Sequence, residues 1–512
     1  MRNICVASAT LVATTALTSI LLAAPAAAAE STLAAQAREI QLLQEQLRLM
    51  QQQLDALKAA NEATRDAVAR EAKERIATDN AVANAAPPQV PKVVESAIHR
   101  FTLSSADGAW TIAPTGRIHF DIGGYLDQKP QGTTGLGTAA GGRLSSGLNV
   151  RRGRIGVTGK AMNDFTYTLV LDAGGSSDNA GLINTASIGY TGIANTVLEV
   201  GYFPSYFTLD ESTSSNDILF LERASPTALI ANINVGDPRA NMGFRTWGPN
   251  WWFGAYLTGS KPGEAHGLTQ RTFGGYVRAT YQIIQTSDTT LHVGAGIDRV
   301  FSAPDSGPNT ATSLTLANQA ELRIDPTNTI STGALGTVAN PVDKATMTGA
   351  EIAGTFGQFF AQSEYYHYNI GRRGRTPAEF DGAYAQLAYT VGGKHTYNVA
   401  CGCYGGVNPT TPFSPLKGGQ GAFEFALRYS WVDLTDQYDS SIPLALQSNG
   451  VNGGRQAAVT AGLNWYWNAN MLWKLNYIRT SLHKATPRAG GGPGVAAGLD
   501  IDALAVRWQV MF

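Results

Sequence analysis

The sequence predicts an all-β fold: a transmembrane antiparallel β-barrel of about 16 strands, preceded by an N-terminal coiled-coil helix. Three observations carry this. The chain opens like an exported protein; no later stretch is apolar for the roughly 20 residues a membrane-crossing helix needs; and from about Arg117 onward apolar and polar residues alternate. Charged residues make up 15% of the chain and glycine accounts for 56 positions, against roughly 25% charged in ordinary soluble domains. In hydrocarbon every backbone donor and acceptor must be paired within the protein, which leaves helices and closed barrels as the spanning structures.

Residues 1–29 read as a signal peptide. Arg2 supplies a positive start, Val6 to Leu22 an apolar run, and Ala26 to Ala29 small residues for cleavage. Cys5 sits within that run and is discarded with it on this reading. Residues 30–75 read as a coiled-coil helix: Leu33, Ile40, Leu47 and Leu54 stand seven apart, and Leu43, Met50 and Leu57 fill the intervening positions. An apolar seam of period 3.5 needs a partner helix to cover it. The seam does not choose between two and three strands, and a lone amphipathic helix on a surface is the competing reading. Residues 76–110 read as a linker, with Pro87, Pro88 and Pro91 unable to continue a helix.

Residues 111–512 read as the barrel. Phe423, Phe425, Leu427, Tyr429 and Trp431 alternate with Glu424, Ala426, Arg428 and Ser430, and the same period of two runs through 165–172 and 276–283. Successive strand side chains face opposite sides, so one face is apolar and the other polar. A soluble sandwich alternates too. Three features favour the barrel: tryptophans near strand ends (Trp247, Trp251, Trp465, Trp467, Trp473), short turns such as Asn163-Asp164 alternating with long segments at 304–318 and 392–419, and a closing strand that ends on Trp508, Val510 and Phe512. That ending resembles the signal read by the machinery that assembles barrels in bacterial outer membranes. Roughly 400 residues at about 9–11 per strand plus loops give about 16 strands, with 14 or 18 as alternatives.

Several blocks resemble the phosphate-selective porin O/P family. They are Arg151-Arg152-Gly153-Arg154-Ile155-Gly156-Val157-Thr158-Gly159-Lys160; Leu198 to Phe203 followed by Leu219-Phe220-Leu221-Glu222-Arg223; and, in order, Tyr384 to Leu387, Arg428 to Ser430 and Gly462 to Tyr466. The resemblance implies a 16-stranded homotrimeric barrel in the outer membrane, with its coiled coil in the periplasm. It also implies inward-folded loops at a constriction, arginines along the lumen and lysines at the narrow part.

Parity places the charges. Ile155 and Val157 should face lipid, which turns Arg152, Arg154 and Lys160 to the lumen; Arg278, Arg428 and Arg507 follow beside outward Val277, Leu427 and Trp508. A lipid-facing Arg or Lys near the midplane costs about 2–4 kcal/mol. Inward acids such as Asp172, Glu424 and Asp500 would be their counter-charges on the competing reading. Lys394, Lys417 and Arg373 are candidates for a constriction loop, and equally for surface charges. The formal net charge of −1 excludes a generally basic nucleic-acid binder, and no concentrated lysine triplet is present.

Neither catalytic residues nor a metal site nor a cofactor is expected. No HExxH or GxSxG motif occurs. Glu364 and His367 have a metal-like spacing, but three strand positions apart they face opposite sides. Cys401 and Cys403 are read as a tight disulfide, a soft-metal pair or an incidental loop pair. The expected task is passive diffusion of small hydrophilic solutes with anions favoured. A differently selective porin, an outer-membrane hydrolase and an envelope tether are the alternatives.

Overall fold

The structure is a computed structural model, and it describes residues 29–85, 91–95, 101–131, 143–174, 183–234, 238–261, 271–305, 307, 310–442, 447–486 and 495–512. The signal-peptide reading lies outside these residues apart from Ala29. The chain divides into two compact units, 1–88 and 89–512.

In the first unit a single helix, α1, spans Ala29–Ala85. It runs past Arg75 into the stretch read as linker, where Ala77, Ala81, Ala83 and Ala85 have the highest helix propensity. The seam residues Ile40, Leu43, Leu47, Met50, Leu54 and Leu57 are 52–70% exposed.

In the second unit a short hairpin, Lys92–Glu95 against Phe101–Ser104, leads into sixteen antiparallel strands. They are β1 (Thr111–Gln131), β2 (Gly147–Ala161), β3 (Phe165–Asp172), β4 (Ile183–Tyr190), β5 (Thr196–Phe203), β6 (Arg239–Trp247), β7 (Trp251–Thr258) and β8 (Phe273–Gln285). Then follow β9 (Thr289–Ser302), β10 (Val342–Phe356), β11 (Phe359–Arg372), β12 (Ala378–Val391), β13 (Ala422–Asp436), β14 (Val451–Asn468), β15 (Met471–Thr486) and β16 (Val495–Met511). β16 pairs with β1 from Gly498↔Gln131 to Met511↔Arg117, closing the cylinder. The expected strand number of 16 is observed.

The sidedness is that of a membrane barrel. Ile155, Val277, Ile297, Ile352, Leu427 and Trp508 are exposed, while Arg278, His292, Asp298, Glu424 and Arg507 are fully buried. Apolar residues outside and charged ones inside reverse the soluble pattern, and a closed barrel in hydrocarbon requires that reversal.

Both chain ends of the barrel, β1 at Thr111 and β16 at Met511, lie at the rim of the short turns 162–164, 248–250, 286–288, 357–358 and 469–470. The connection 392–421 also leaves from this rim, because it follows an even-numbered strand. From the opposite rim, two long connections turn inward and pack against the walls over their described residues 204–234 and 310–341. Phe207, Leu229, Ile230, Leu314 and Leu316 form one buried core with Tyr276, Met347, Tyr366 and Phe380. The loops therefore fill much of the cylinder.

Candidate functional site

The charged heart of the lumen begins with an irregularity in β2. His119 pairs with Arg152 but Phe120 pairs with Val150, so Arg151 is an extra residue without a register partner. A bulge of this kind re-aims a side chain. Arg151, on the lipid side by simple parity, joins Arg152 inside, and the two are 4% and 5% exposed. Arg151 grips Glu222 through Nε–Oε1 and Nη2–Oε2, both 2.8 Å. Planar two-point pairing is what a guanidinium and a carboxylate form best.

Glu222 belongs to the inward segment 204–238, and it is the centre of a cluster. Arg507 of β16 reaches it at 2.9 Å while holding both oxygens of Asp121 at 2.7 Å. Burial alone would push the Glu222 carboxyl up, but Arg151, Arg507 and Arg152 together hold it well below the usual carboxylate range. The backbone on either side is caught as firmly. Carbonyls of Asn216, Leu219 and Glu222 accept from Gln509, Asn464 and Arg428 at 2.8–2.9 Å, and those of Ile218 and Leu221 accept from Lys474 and Arg507. At the start of the segment the Glu364 carboxylate accepts from the amides of Leu209 and Asp210, 2.9 Å each. A loop deep inside a protein must have its polar backbone satisfied, and here strand side chains do it.

Between this segment, the 303–341 segment and the low wall of short strands β3–β7 remains an open cavity of about 710 Å³. Among the described residues eight cations line it (Arg117, Arg151, Arg152, Arg154, Arg223, Arg245, Lys261 and Arg323) against four carboxylates, Glu199, Glu211, Glu222 and Glu321. Thr166, Thr168, Asn184, Thr185 and Ser187 supply neutral polar contacts on the wall. Several cations are matched: Arg154 with Asp172 at 2.7 Å, Arg245 with Glu199 at 2.6 Å, Arg223 with Asp210 and Glu211 at 3.2 Å. Arg152 is different. Its Nε has no partner, and its Nη1 lies 3.5 Å from His119 Nδ1. His119 Nε2 faces Asn216 Oδ1 at 3.1 Å, which assigns the ring proton there and leaves Nδ1 to accept. Among the described residues no carboxylate hydrogen-bonds Arg152; its charge acts on Glu222, which Arg151 and Arg507 already hold.

The connection 392–421 reaches into the lumen from the short-turn rim. Arg278, fully buried and held by Glu351 at 2.7 Å, donates to the carbonyls of Cys401 (3.2 Å) and Gly402 (2.7 Å). Cys401 and Cys403 form a disulfide across a turn with Cα atoms 5.2 Å apart. Gly402 sits at φ +56° with Thr280 and Trp252 packed against it, so a side chain there is barred twice over.

The expected site residues fall into three groups. Arg152 and Arg154 line the cavity. Arg278, Arg428 and Arg507 face inward but lie behind the loops, matched to Glu351, Glu321 and Asp121 with Glu222. Lys160, Lys394, Lys417 and Arg373 are exposed at the rims, and Lys394 pairs with Asp288 at 2.9 Å. Of the expected counter-charges, Asp172 does meet Arg154, and Glu424 meets His395 at 2.6 Å. Asp500 does not face the lumen; it is outside, 3.5 Å from Arg479, on the face opposite buried Ile501 and Leu499. Glu364 is inside and His367 outside against Asp381, and among the described residues no cluster of His, Cys, Asp and Glu could hold a metal. Sequence reasoning missed Arg117, Arg151, Arg223, Arg245, Lys261 and Arg323. For Arg151 a signal was present: away from the interfaces an arginine at a lipid-facing parity costs about 2–4 kcal/mol, and a bulge removes that cost.

A family model described as phosphate-selective porin O and P matches residues 115–512. An uncharacterised protein of Caulobacter vibrioides is 28% identical over 462 residues, covering 88% of this chain and 86% of its own length. Among solved structures, the anion-selective porin from Comamonas acidovorans is 12% identical, covering 79% of this chain and 100% of that one, with a TM-score of 0.43. The outer membrane protein OmpT of Vibrio cholerae, in a trimer form, is likewise 12% identical over 79% of this chain and 100% of its own, with a TM-score of 0.42.

Proposed function

Because the chain belongs to the phosphate-selective porin O and P family, we propose that its outer-membrane channel passes small hydrophilic solutes with a preference for anions. One observation carries the preference: among the described residues eight cations line the open cavity against four carboxylates, and no carboxylate hydrogen-bonds Arg152, whose charge adds to those of Arg151 and Arg507 around Glu222. Charge of one sign along low-dielectric walls concentrates the opposite ion and excludes its own. Arg152 and Arg154 are the first anion contacts, Arg117 follows, and Arg278, Arg428 and Arg507 act as loop anchors. Passage needs several moderate sites rather than one tight one, because the ion must leave as well as enter. Phosphate fits the guanidinium geometry, yet among the described residues one lysine, Lys261, lines the cavity, so the selectivity proposed is for small anions with phosphate among them.

The same reading makes the channel a homotrimer, with the uncovered seam of α1 paired between copies in the periplasm and Phe512 read by the assembly machinery. Single-channel recording in planar bilayers tests it. Replacing chloride by phosphate and then by a large organic anion should lower the current in steps, and Arg152→Glu should reduce the anion current. Absence of any channel ends the reading; equal currents for Arg152→Glu and the parent end its selectivity.

A further inference from the structure

The 392–421 connection has a second half that the lumen does not use. After the segment passes over the rim, Ser414 and Gly419 pair through both backbone bonds (2.9 and 3.0 Å), closing a small hairpin with Pro415, Leu416, Lys417 and Gly418 at its tip. The hairpin is fixed to the outside of the barrel. The amide of Phe413 donates to the carbonyl of Trp467 at 2.7 Å, and its ring packs on Trp465 and Trp467 at 4.9 and 5.0 Å. Trp465 stacks on Phe423 and its indole N–H donates to Gln420 O at 2.9 Å. The cluster continues through Trp473 to Trp508, both partly exposed on the outer face. Tryptophans in this position mark the level of the lipid headgroups.

At the tip, Leu416 is 99% exposed. A single exposed leucine on a protein surface needs no explanation; one held at the headgroup level by an aromatic cluster does. Lys417 beside it is exposed, and residues 393–421 contain no Asp or Glu. A carboxylate-free segment with an apolar tip and an adjacent cation suits the boundary between phosphate headgroups and acyl chains. We propose that the 412–419 hairpin is a lipid anchor: Leu416 enters the phospholipid leaflet at the short-turn rim, and Lys417 stays with the phosphates. One connection then couples the bilayer surface to the lumen at Cys401–Cys403, where Arg278 holds it.

Leu416→Cys in a Cys5→Ser background carries one free thiol, since Cys401 and Cys403 are joined. Labelled there with a polarity-sensitive bimane, the full-length protein is inserted into phosphatidylethanolamine–phosphatidylglycerol vesicles. Folding is checked by heat-modifiable gel mobility. The anchor predicts blue-shifted emission, loss of most of that emission with lipids brominated high on the acyl chain, and weak quenching by aqueous iodide. Lys417→Glu should lower the lipid quenching. Red-shifted emission quenched by iodide places the tip in water and overturns the proposal. Blue-shifted emission untouched by brominated lipid places it against a second protein copy and overturns it equally.

Discussion

Replacing Glu222 by Gln should release the inward segment 204–238. In the native protein the carboxylate answers two buried guanidiniums: Arg151 through two bonds of 2.8 Å and Arg507 through one of 2.9 Å. A glutamine keeps one acceptor oxygen, so it can serve one of them. Removing one partner of a buried ion pair costs about 3–5 kcal/mol, because the charge left behind is uncompensated. Arg507 retains both bonds to Asp121, which puts the expected loss near the low end, about 3 kcal/mol. At 1.4 kcal/mol per tenfold, the docked segment becomes about 10²-fold less favoured over the undocked one. Bilayer recording reads this as a larger and flickering conductance, and gel mobility as earlier loss of the folded barrel on heating. A quiet channel of unchanged conductance and unchanged heat resistance would show that Glu222 does not hold the constriction.

Arg152→Ala should behave oppositely, because no carboxylate is orphaned. Thermal resistance stays within about 1 kcal/mol of the parent, while anion-over-cation permeability falls by up to about fivefold, the worth of one charge at about 4 Å in water; ion-substitution recording measures the ratio. Gly402→Ala should destabilise the lumen half of 392–421 by about 1–2 kcal/mol, since φ +56° is a left-handed position, and heat-modifiable mobility reports it. The pH response follows from Glu222. A carboxyl whose folded pKa is depressed contributes stability above its unfolded value, lost only as pH falls through the folded one. The Glu222 clamp is therefore intact from neutral pH down to the ordinary carboxylate value of 4.5, weakens only below it, and is lost as pH falls through the depressed folded value; conductance that changed between pH 7 and pH 5 would contradict this.

The architecture was legible because a barrel in lipid imposes a local rule. Backbone closure and outward apolar residues force the period of two seen in 423–431, and that period alone turns Arg152 and Arg154 inward. The interior was less legible, for two physical reasons. A bulge shifts parity, which brought Arg151 inside, and only the cost of a lipid-facing guanidinium betrays it in the sequence. Parity also says which face a residue takes, not what covers it. Arg278, Arg428 and Arg507 share the lumen face with Arg152, but the Leu219–Arg223 and Cys401–Cys403 segments fold over them and convert their donors into loop anchors. Loop packing depends on contacts more than a hundred residues apart, such as Arg428 with Glu321 and Arg507 with Glu222, which no local pattern records. The segment 392–419, read with 304–318 as a long connection alternating with the short turns, instead leaves from the rim of the short turns, because after the twelfth strand the chain is back there.

The central claim is that uncompensated guanidinium charge in the open cavity governs which ions pass. The reversal potential of the purified channel across a potassium chloride gradient tests it most directly. The account predicts a potential displaced toward the chloride equilibrium value, moving toward zero in Arg152→Ala. A potential on the potassium side in the parent protein would contradict it.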